Sequence, residues 1–369
     1  MRIGVLTSSR ADFGIYLPLL KRLAADDHFD LSIIVFGAHL SPSHGYTVEQ
    51  VLSEGFDVSY RIETMPADDT PMAISTAMGM TLVKFAEFWD SHKAHFDLVF
   101  CLGDRYEMFS AVTAGIPFQI VFAHLHGGET TLGAIDNVFR HAITLASTYH
   151  FVSTSDAAQR VAQIAGSEEN VYCIGALSLD NLEDAVFFSA EEFQKRWGID
   201  LAKDTILTTF HPETVAYEQN EYFAQELIKA IASLSNYQVL ITMPNADTAG
   251  NVIRNALISS FSNSDRVFLV ENLGTKGYFT VMKHCAFLLG NTSSGIIEAA
   301  SFGKYVINLG DRQKGRSAGP NVITVPIVSA AICQAVQYVE TAAMLSVDNI
   351  YYSGGAANKI VALLKDFPA

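Results

Sequence analysis

In HLHGGET (124–130), two histidines two residues apart and a carboxylate three residues further on leave an apolar run, FQIVFA, with the composition of a buried strand. Three kinds of chemistry fit those residue types. On a strand, His124 and His126 would share one face, as zinc ligands can, with Glu129 as a third ligand. The same groups could move protons or contact a substrate, or they could only shape a polar turn. No second His or Cys pair stands at ligand spacing, which favours proton transfer or substrate contact over metal.

Asp104 and Asp136 extend the acidic set at neighbouring strand exits, with Arg140 and His141 close by in sequence. Carboxylates that share a partly desolvated site cannot all ionise easily. At least one of Asp104, Glu129 and Asp136 is therefore expected to titrate closer to neutrality than usual and to serve as an acid or a base.

A second group of residues suits an anion. GDRQKGR (310–316) places Arg312, Lys314 and Arg316 within five residues of an otherwise acidic chain, and guanidinium forks match phosphate oxygens; a solvated basic loop is the plain alternative. Arg10 and Arg105 offer the same chemistry from the first half. GNTSSG (290–295), opening IIEAASFG, resembles a phosphate cradle: Thr292, Ser293, Ser294 and Gly295 let backbone and hydroxyls approach an anion, and Glu298 could accept from ribose hydroxyls. The alternative is an Asn/Ser helix cap without a ligand. His211, before Pro212, is either a packed turn histidine or a phosphate donor. The exits GAHL (37–40, with His39) and PNADTAG (244–250, with Asn245) add candidate substrate contacts. There is no GxxxxGK[ST] loop, and the first strand does not continue into GxGxxG, so neither a Walker site nor a nicotinamide or flavin fingerprint is present.

Such side chains need a scaffold that gathers loops. Near-continuous apolar runs at 2–9, 31–37, 97–103, 118–124, 149–154 and 170–175 read as strands, with helical stretches at 15–25, 74–94, 106–114, 136–147 and 155–164. The pattern restarts with strands at 204–210, 237–243, 266–272, 286–291, 304–310 and 321–326, and helices near 219–234, 247–260, 277–285, 294–302 and 328–341. Apolar strands alternating with helices predict parallel sheets covered on both faces. The expected class is α/β: two doubly wound Rossmann-like domains, 1–180 and 181–350, with an interdomain cleft and a terminal helix in 351–369. Residues 180–200 should form a polar helical connection. In such sheets ligands bind beyond the carboxyl ends of the strands, which is where the polar motifs fall.

Composition narrows the partners. A length of 369 residues fits roughly two domains. A net charge of −15 disfavours nucleic acid and anionic membrane surfaces, which require clustered cations. Cys101, Cys173, Cys285 and Cys333 are scattered in apolar segments, as reduced thiols are. No apolar run approaches the length of a membrane span, and the first residues lack a signal-peptide core, so a cytoplasmic protein is expected.

Taken in order, SSRADFG, GDRYE, HLHGGE with DNVFRHAI, HPET, PNAD, GNTSSGIIE and INLGDRQKGR span almost the whole chain and closely resemble the hydrolysing UDP-N-acetylglucosamine 2-epimerases of sialic acid biosynthesis, the NeuC family. The resemblance implies a fold like the GT-B nucleotide-sugar glycosyltransferases, with the C-terminal helix returning to the first domain. It implies UDP-N-acetylglucosamine as substrate, N-acetylmannosamine and UDP as products, no obligatory metal or other cofactor, and a homodimer or homotetramer. Arg10, His211, Thr292, Ser293, Glu298, Arg312 and Arg316 would hold UDP, and Asp104, Asp136, Arg140 and the HLHGGE loop would line the sugar. UDP-N,N′-diacetylbacillosamine is an alternative substrate, since it differs only at sugar carbons 4 and 6, and a GT-B glycosyltransferase is an alternative activity. Many members carry Glu where this chain has His126, and that Glu is their proposed catalytic residue; a subset carries His. Either His126 takes over the proton transfer, or Glu129 performs it with His126 assisting. One more residue separates Glu129 from Asp136 than in the HxEGGE members.

Overall fold

The computed structural model describes residues 1–42, 45–65, 70–183, 185–244, 250–343 and 348–367. The chain forms two compact units. The first comprises Met1–Glu129, Asp136–Glu183 and Tyr351–Ala369, and the second Thr130–Ile135 with Asp184–Ile350.

The first unit is built on seven parallel strands: β1 (Arg2–Thr7), β2 (Asp30–Phe36), β3 (Tyr60–Ile62), β4 (Leu98–Leu102), β5 (Phe122–Leu125), β6 (Tyr149–Val152) and β7 (Val171–Cys173), in the order β3-β2-β1-β4-β5-β6-β7. Both faces are dry because alternate side chains enter two cores. Ile3, Val5, Leu98 and Phe100 pack toward helices Arg10–Ala24 and Ala356–Lys365, whereas Leu6, Val99 and Cys101 join Phe85, Phe88 and Trp89 of helix Pro71–His92. Each fully buried Ile or Phe contributes about 1.5–3 kcal/mol, so this two-sided burial dominates the unit's stability.

The second unit carries β8 (Thr205–Thr209), β9 (Gln238–Thr242), β10 (Val267–Val270), β11 (Phe287–Gly290), β12 (Val306–Leu309) and β13 (Val322–Val325), all parallel, in the order β10-β9-β8-β11-β12-β13. Ile206, Val239, Phe287 and Ile307 face one core and Leu207, Leu240, Leu288 and Val306 the other. Both units are thus doubly wound α/β, as the alternating pattern predicts. In each, the strand order reverses between neighbours, β1 and β4 in the first and β8 and β11 in the second. Loops part at such a point and leave room for a ligand.

Three elements differ from the sequence expectation. The strand expected at 118–124 starts only at Phe122, because Ile116–Phe118, with Pro117, forms a 3-10 turn and Gln119 takes a left-handed conformation at φ +58°. The first helix starts at Arg10 rather than near 15. Ser9 caps it, and Asp12 completes a reciprocal capping box. The 180–200 connection is two short helices, Asp180–Glu183 and Ala190–Trp197, the second restarted by a Ser189/Glu192 capping box. Helix Val48–Ser53 and strand β3 had no clear periodic signal. Among the described residues, no helix is long and apolar enough to cross a membrane.

Candidate active site

The β5 exit is the centre of the first unit's polar chemistry. His124, still on the strand and fully buried, donates from Nε2 to Gly103 O at 2.9 Å, and its Nδ1 accepts from Thr144 Oγ1 at 3.1 Å. Burial pushes it down to about 3, so it is neutral and structural. His126 lies beyond the strand with φ +61°, which breaks the two-residue periodicity. The shared face on which a zinc reading depends is therefore lost. Among the described residues, no three His, Cys, Asp or Glu groups are placed to hold a metal.

Past His126 the chain turns through two glycines because nothing larger fits. A Cβ at Gly127 would lie 2.9 Å from His124 Nδ1, and one at Gly128, where φ is +75°, would lie 2.2 Å from Ala157 O. Arg160 Nη1 donates to Gly128 O at 2.6 Å and pins the turn. It delivers Glu129, 5% exposed, against His126: Nδ1 and Oε1 are 3.5 Å apart. Ser153 Oγ, at the β6 exit, donates to the same carboxylate oxygen at 2.7 Å. His126 Nε2 is buried and, among the described residues, has no hydrogen-bond partner.

Arg140, buried in helix Asp136–Ala146, joins this loop to the β4 exit. Its Nη1 donates to Glu129 O at 2.9 Å and its Nη2 donates to Asp104 Oδ2. The Asp104 side chain is 28% exposed and the Arg140 side chain 2%, so the guanidinium is anchored inside while the carboxylate reaches solvent. Asp104, His126, Glu129 and Arg140 thus come together. Asp136 begins the same helix, half-buried. His141 sits one residue past Arg140 and is held below its ordinary value by burial and by Arg140 and Arg160.

Other expected contacts are engaged elsewhere. Arg105 holds Glu107 in a bidentate pair at 3.0 and 3.2 Å. Glu107 is fully buried, and desolvation raises it although Arg105 opposes the shift. His39 is buried between Thr7 Oγ1 and Thr47 Oγ1, both at 2.9 Å, and burial lowers it to about 4. Both of its ring nitrogens are thus engaged by threonine hydroxyls. Arg10 is the first residue of its helix, next to the Ser9 cap. Asp12, which the sequence did not single out, accepts from Ser8 N, Ser8 Oγ and Ser9 N at 2.6–3.1 Å.

In the second unit the β8, β11 and β12 exits lock together. Asn291, fully buried, clamps the His211 backbone: Oδ1 accepts from its N–H at 2.7 Å and Nδ2 donates to its carbonyl at 2.8 Å. Gln313 Nε2 donates to Asn291 O at 2.8 Å, and Arg312 Nη1 donates to Pro212 O at 2.6 Å. Glu213 Oε1 accepts from Asp311 N at 2.7 Å, and burial raises this carboxyl despite that bond. Gly290 (φ +151°) allows the crossing, since a Cβ there would lie 2.0 Å from Thr209 O. The raised carboxyls Glu107 and Glu213 both lie inside motifs already marked, GDRYE and HPET.

Helix Ser293–Ile297 follows Thr292, whose side chain does not cap it. At Gly295 a Cβ would lie 2.9 Å from Val306 Cγ1, so only glycine allows this close helix–strand packing. Glu298, buried, ends the helix. The Tyr278 hydroxyl lies near Ser294 and Thr209 and is pushed up to about 12, chiefly by burial. Arg316 is half-buried at the end of the basic loop, its N–H donating to Gln313 O at 3.1 Å, and Lys314 is exposed beside Asp311 at 3.4 Å. Asn245 lies outside the described residues.

Two doubly wound α/β sheets with polar clusters beyond the carboxyl ends of their strands form the fold, and comparison with known proteins supplies the family. The family model for UDP-N-acetylglucosamine 2-epimerases matches residues 21–365. The chain belongs to that family, and its likeness to the hydrolysing, NeuC-type members stands. It is 34% identical over 367 residues to the hydrolysing UDP-N,N′-diacetylbacillosamine 2-epimerase of Legionella pneumophila, covering 100% of this chain and 96% of that one. It is 31% identical over 371 residues to the polysialic acid biosynthesis protein P7 of Escherichia coli, covering 99% and 94%. Among solved structures, the UDP-GlcNAc 2-epimerase of Neisseria meningitidis bound to UDP-GlcNAc superposes with a TM-score of 0.81 at 17% identity, over 100% of both chains. That of Methanocaldococcus jannaschii, in complex with UDP-GlcNAc and UDP, gives 0.83 at 15%, also over 100% of both. Both likenesses show the GT-B-like fold.

Proposed function

We propose that this enzyme is a hydrolysing 2-epimerase of a UDP-linked 2-acetamido sugar, with UDP and the free 2-epimer as products. The observation that carries the reading is the His126 ring, its Nδ1 toward Glu129 and its Nε2 buried and, among the described residues, without a partner. A carboxylate that holds the Nδ1 proton leaves Nε2 as a base, an arrangement of the kind that orients histidine in other proton-transfer enzymes. Ser153 fixes the carboxylate that fixes the ring.

The reaction runs in two halves. A base takes the proton from sugar carbon 2 while the anomeric carbon–oxygen bond to UDP breaks, giving UDP and a 2-acetamidoglucal. Water then adds, its hydroxyl going to carbon 1 and a proton going to carbon 2 from the opposite face. Inversion requires two proton-transfer groups, and His126 with Glu129 supplies one and Asp104 the other. Arg140 holds Asp104 in place and links it to the Glu129 backbone. The departing diphosphate needs cationic and N–H donors, for which the Thr292–Ser294 segment, His211, Arg312 and Arg316 are suited.

Two sugars fit. UDP-N-acetylglucosamine follows from the motif set, and UDP-N,N′-diacetylbacillosamine is favoured by the Legionella relative at 34% identity. Steady-state kcat/KM on each, with NMR identification of the products, tests both readings. Release of UDP with a 2-epimerised free sugar supports the reaction, and the larger kcat/KM names the substrate. A 2-epimer still linked to UDP, or transfer to an acceptor, overturns it.

A further inference from the structure

Six residues of the connection after β5, Thr130–Ile135, fold with the second unit, although Glu129 before them and Asp136 after them fold with the first. Their hydrogen bonds define the seat. Leu132 N donates to Lys314 O at 2.9 Å and Gly133 N to Asp311 O at 3.1 Å, both in the basic loop. Ile135 N donates to Thr214 Oγ1 at 2.9 Å, and Gly133 O accepts from Val215 N at 3.4 Å. The fit is close at backbone level. A Cβ on Gly133 would lie 2.5 Å from the Asp311 carbonyl and 2.6 Å from Arg312 N, and one on Gly315 would lie 2.8 Å from Thr130 Cγ2. Thr131 and Ala134 are buried within this seat's segment.

We propose that Thr130–Ile135 is a positioning segment that ties the placement of Glu129 to the state of the 311–316 loop. Adjacent α-carbons are about 3.8 Å apart across a trans peptide, so Glu129 cannot shift independently of Thr130. An anion that draws in Arg312 and Arg316 stiffens the backbone to which Leu132 and Gly133 are bonded. The same stiffening then reaches Glu129, and through it the His126 ring. Departure of the diphosphate relaxes the segment and loosens the proton-transfer pair. This inference rests on the functional reading above, in which the basic loop grips the UDP diphosphate.

Hydrogen–deuterium exchange of the whole enzyme with and without UDP tests it, together with Thr214→Val, which removes the acceptor for Ile135 N, and Thr214→Ser, which keeps it. UDP should slow exchange at 130–135 at least fivefold, alongside 290–298 and 311–316. Thr214→Val should lower kcat about three- to tenfold with the Kd for UDP within twofold, and Thr214→Ser should restore it. Protection at 311–316 with unchanged exchange at 130–135 overturns this inference alone, as does a Thr214→Val enzyme with weaker UDP binding and intact kcat. No UDP protection anywhere overturns the functional reading and this inference with it.

Discussion

Nδ1 of His126 lies 3.5 Å from Oε1 of Glu129, while Nε2 on the opposite side of the ring is buried without a partner among the described residues. A buried polar atom left unpaired costs about 1–3 kcal/mol, and in the proposed reaction this nitrogen is the one that takes the proton. His126→Ala should lower kcat about 10²–10⁴-fold, the usual contribution of a positioned acid or base, with KM within threefold. Near-normal turnover would transfer the role to Glu129.

Ser153 acts on the ring only through Glu129. Ser153→Ala is expected to lower kcat about tenfold and to shift the pH–rate profile, because the carboxylate loses its 2.7 Å donor; Ser153→Thr should recover most of the loss. A profile superposable on that of the parent enzyme would reduce Ser153 to packing.

At Asp104 the amide substitution is informative because it keeps an acceptor for the buried Arg140 guanidinium. Asp104→Asn should bind UDP with a Kd within threefold of the parent and lose the chemical step by at least a hundredfold. Weaker UDP binding with intact turnover, read by calorimetry and initial rates, would count against the assignment.

The buried histidines set an acid limit. His124 is lowered to about 3, and His39 and His150 to about 4, in each case first by burial. Between those values and the ordinary 6.5, the unfolded chain binds protons that the folded chain refuses, so stability rises with pH across this window. It is fully present above about pH 6.5 and is lost as pH falls toward 4. Urea unfolding at pH 7, 6 and 5 should show that loss, and His124→Gln should reduce its slope.

Asn291 satisfies both backbone groups of His211 with one side chain. Asn291→Ala strands a buried N–H and a buried carbonyl, which should destabilise the second unit by about 2–4 kcal/mol and weaken UDP binding. Thermal unfolding with and without UDP measures both effects.

Much of this was legible in the residues themselves. Strand periods of two and helical periods of three to four gave the two α/β sheets, because burial on both faces leaves a dense apolar signature. Motifs at the strand ends placed Asp104, Glu129, His211 and Arg312 beyond the carboxyl ends of β4, β5, β8 and β12. Three things were hidden. The seat of His39 shows only when Thr7, 32 residues away, is brought against its ring. Gly295 resembles part of a phosphate loop, but only the approach of Val306 reveals its packing role. The break of strand period at His126 depends on a positive φ that HLHGG does not announce, since histidine seldom adopts it. Each is a tertiary property that local pattern cannot carry.

The central claim is proton exchange at sugar carbon 2 through the His126–Glu129 pair. Turnover of the preferred UDP-sugar in D₂O, followed by proton NMR for the parent enzyme and for His126→Ala, tests it most directly. The expected result is free UDP and a product with deuterium at carbon 2 from the parent enzyme, and at least a hundredfold slower formation of that product by His126→Ala. UDP release with ordinary hydrogen retained at carbon 2 would contradict the account.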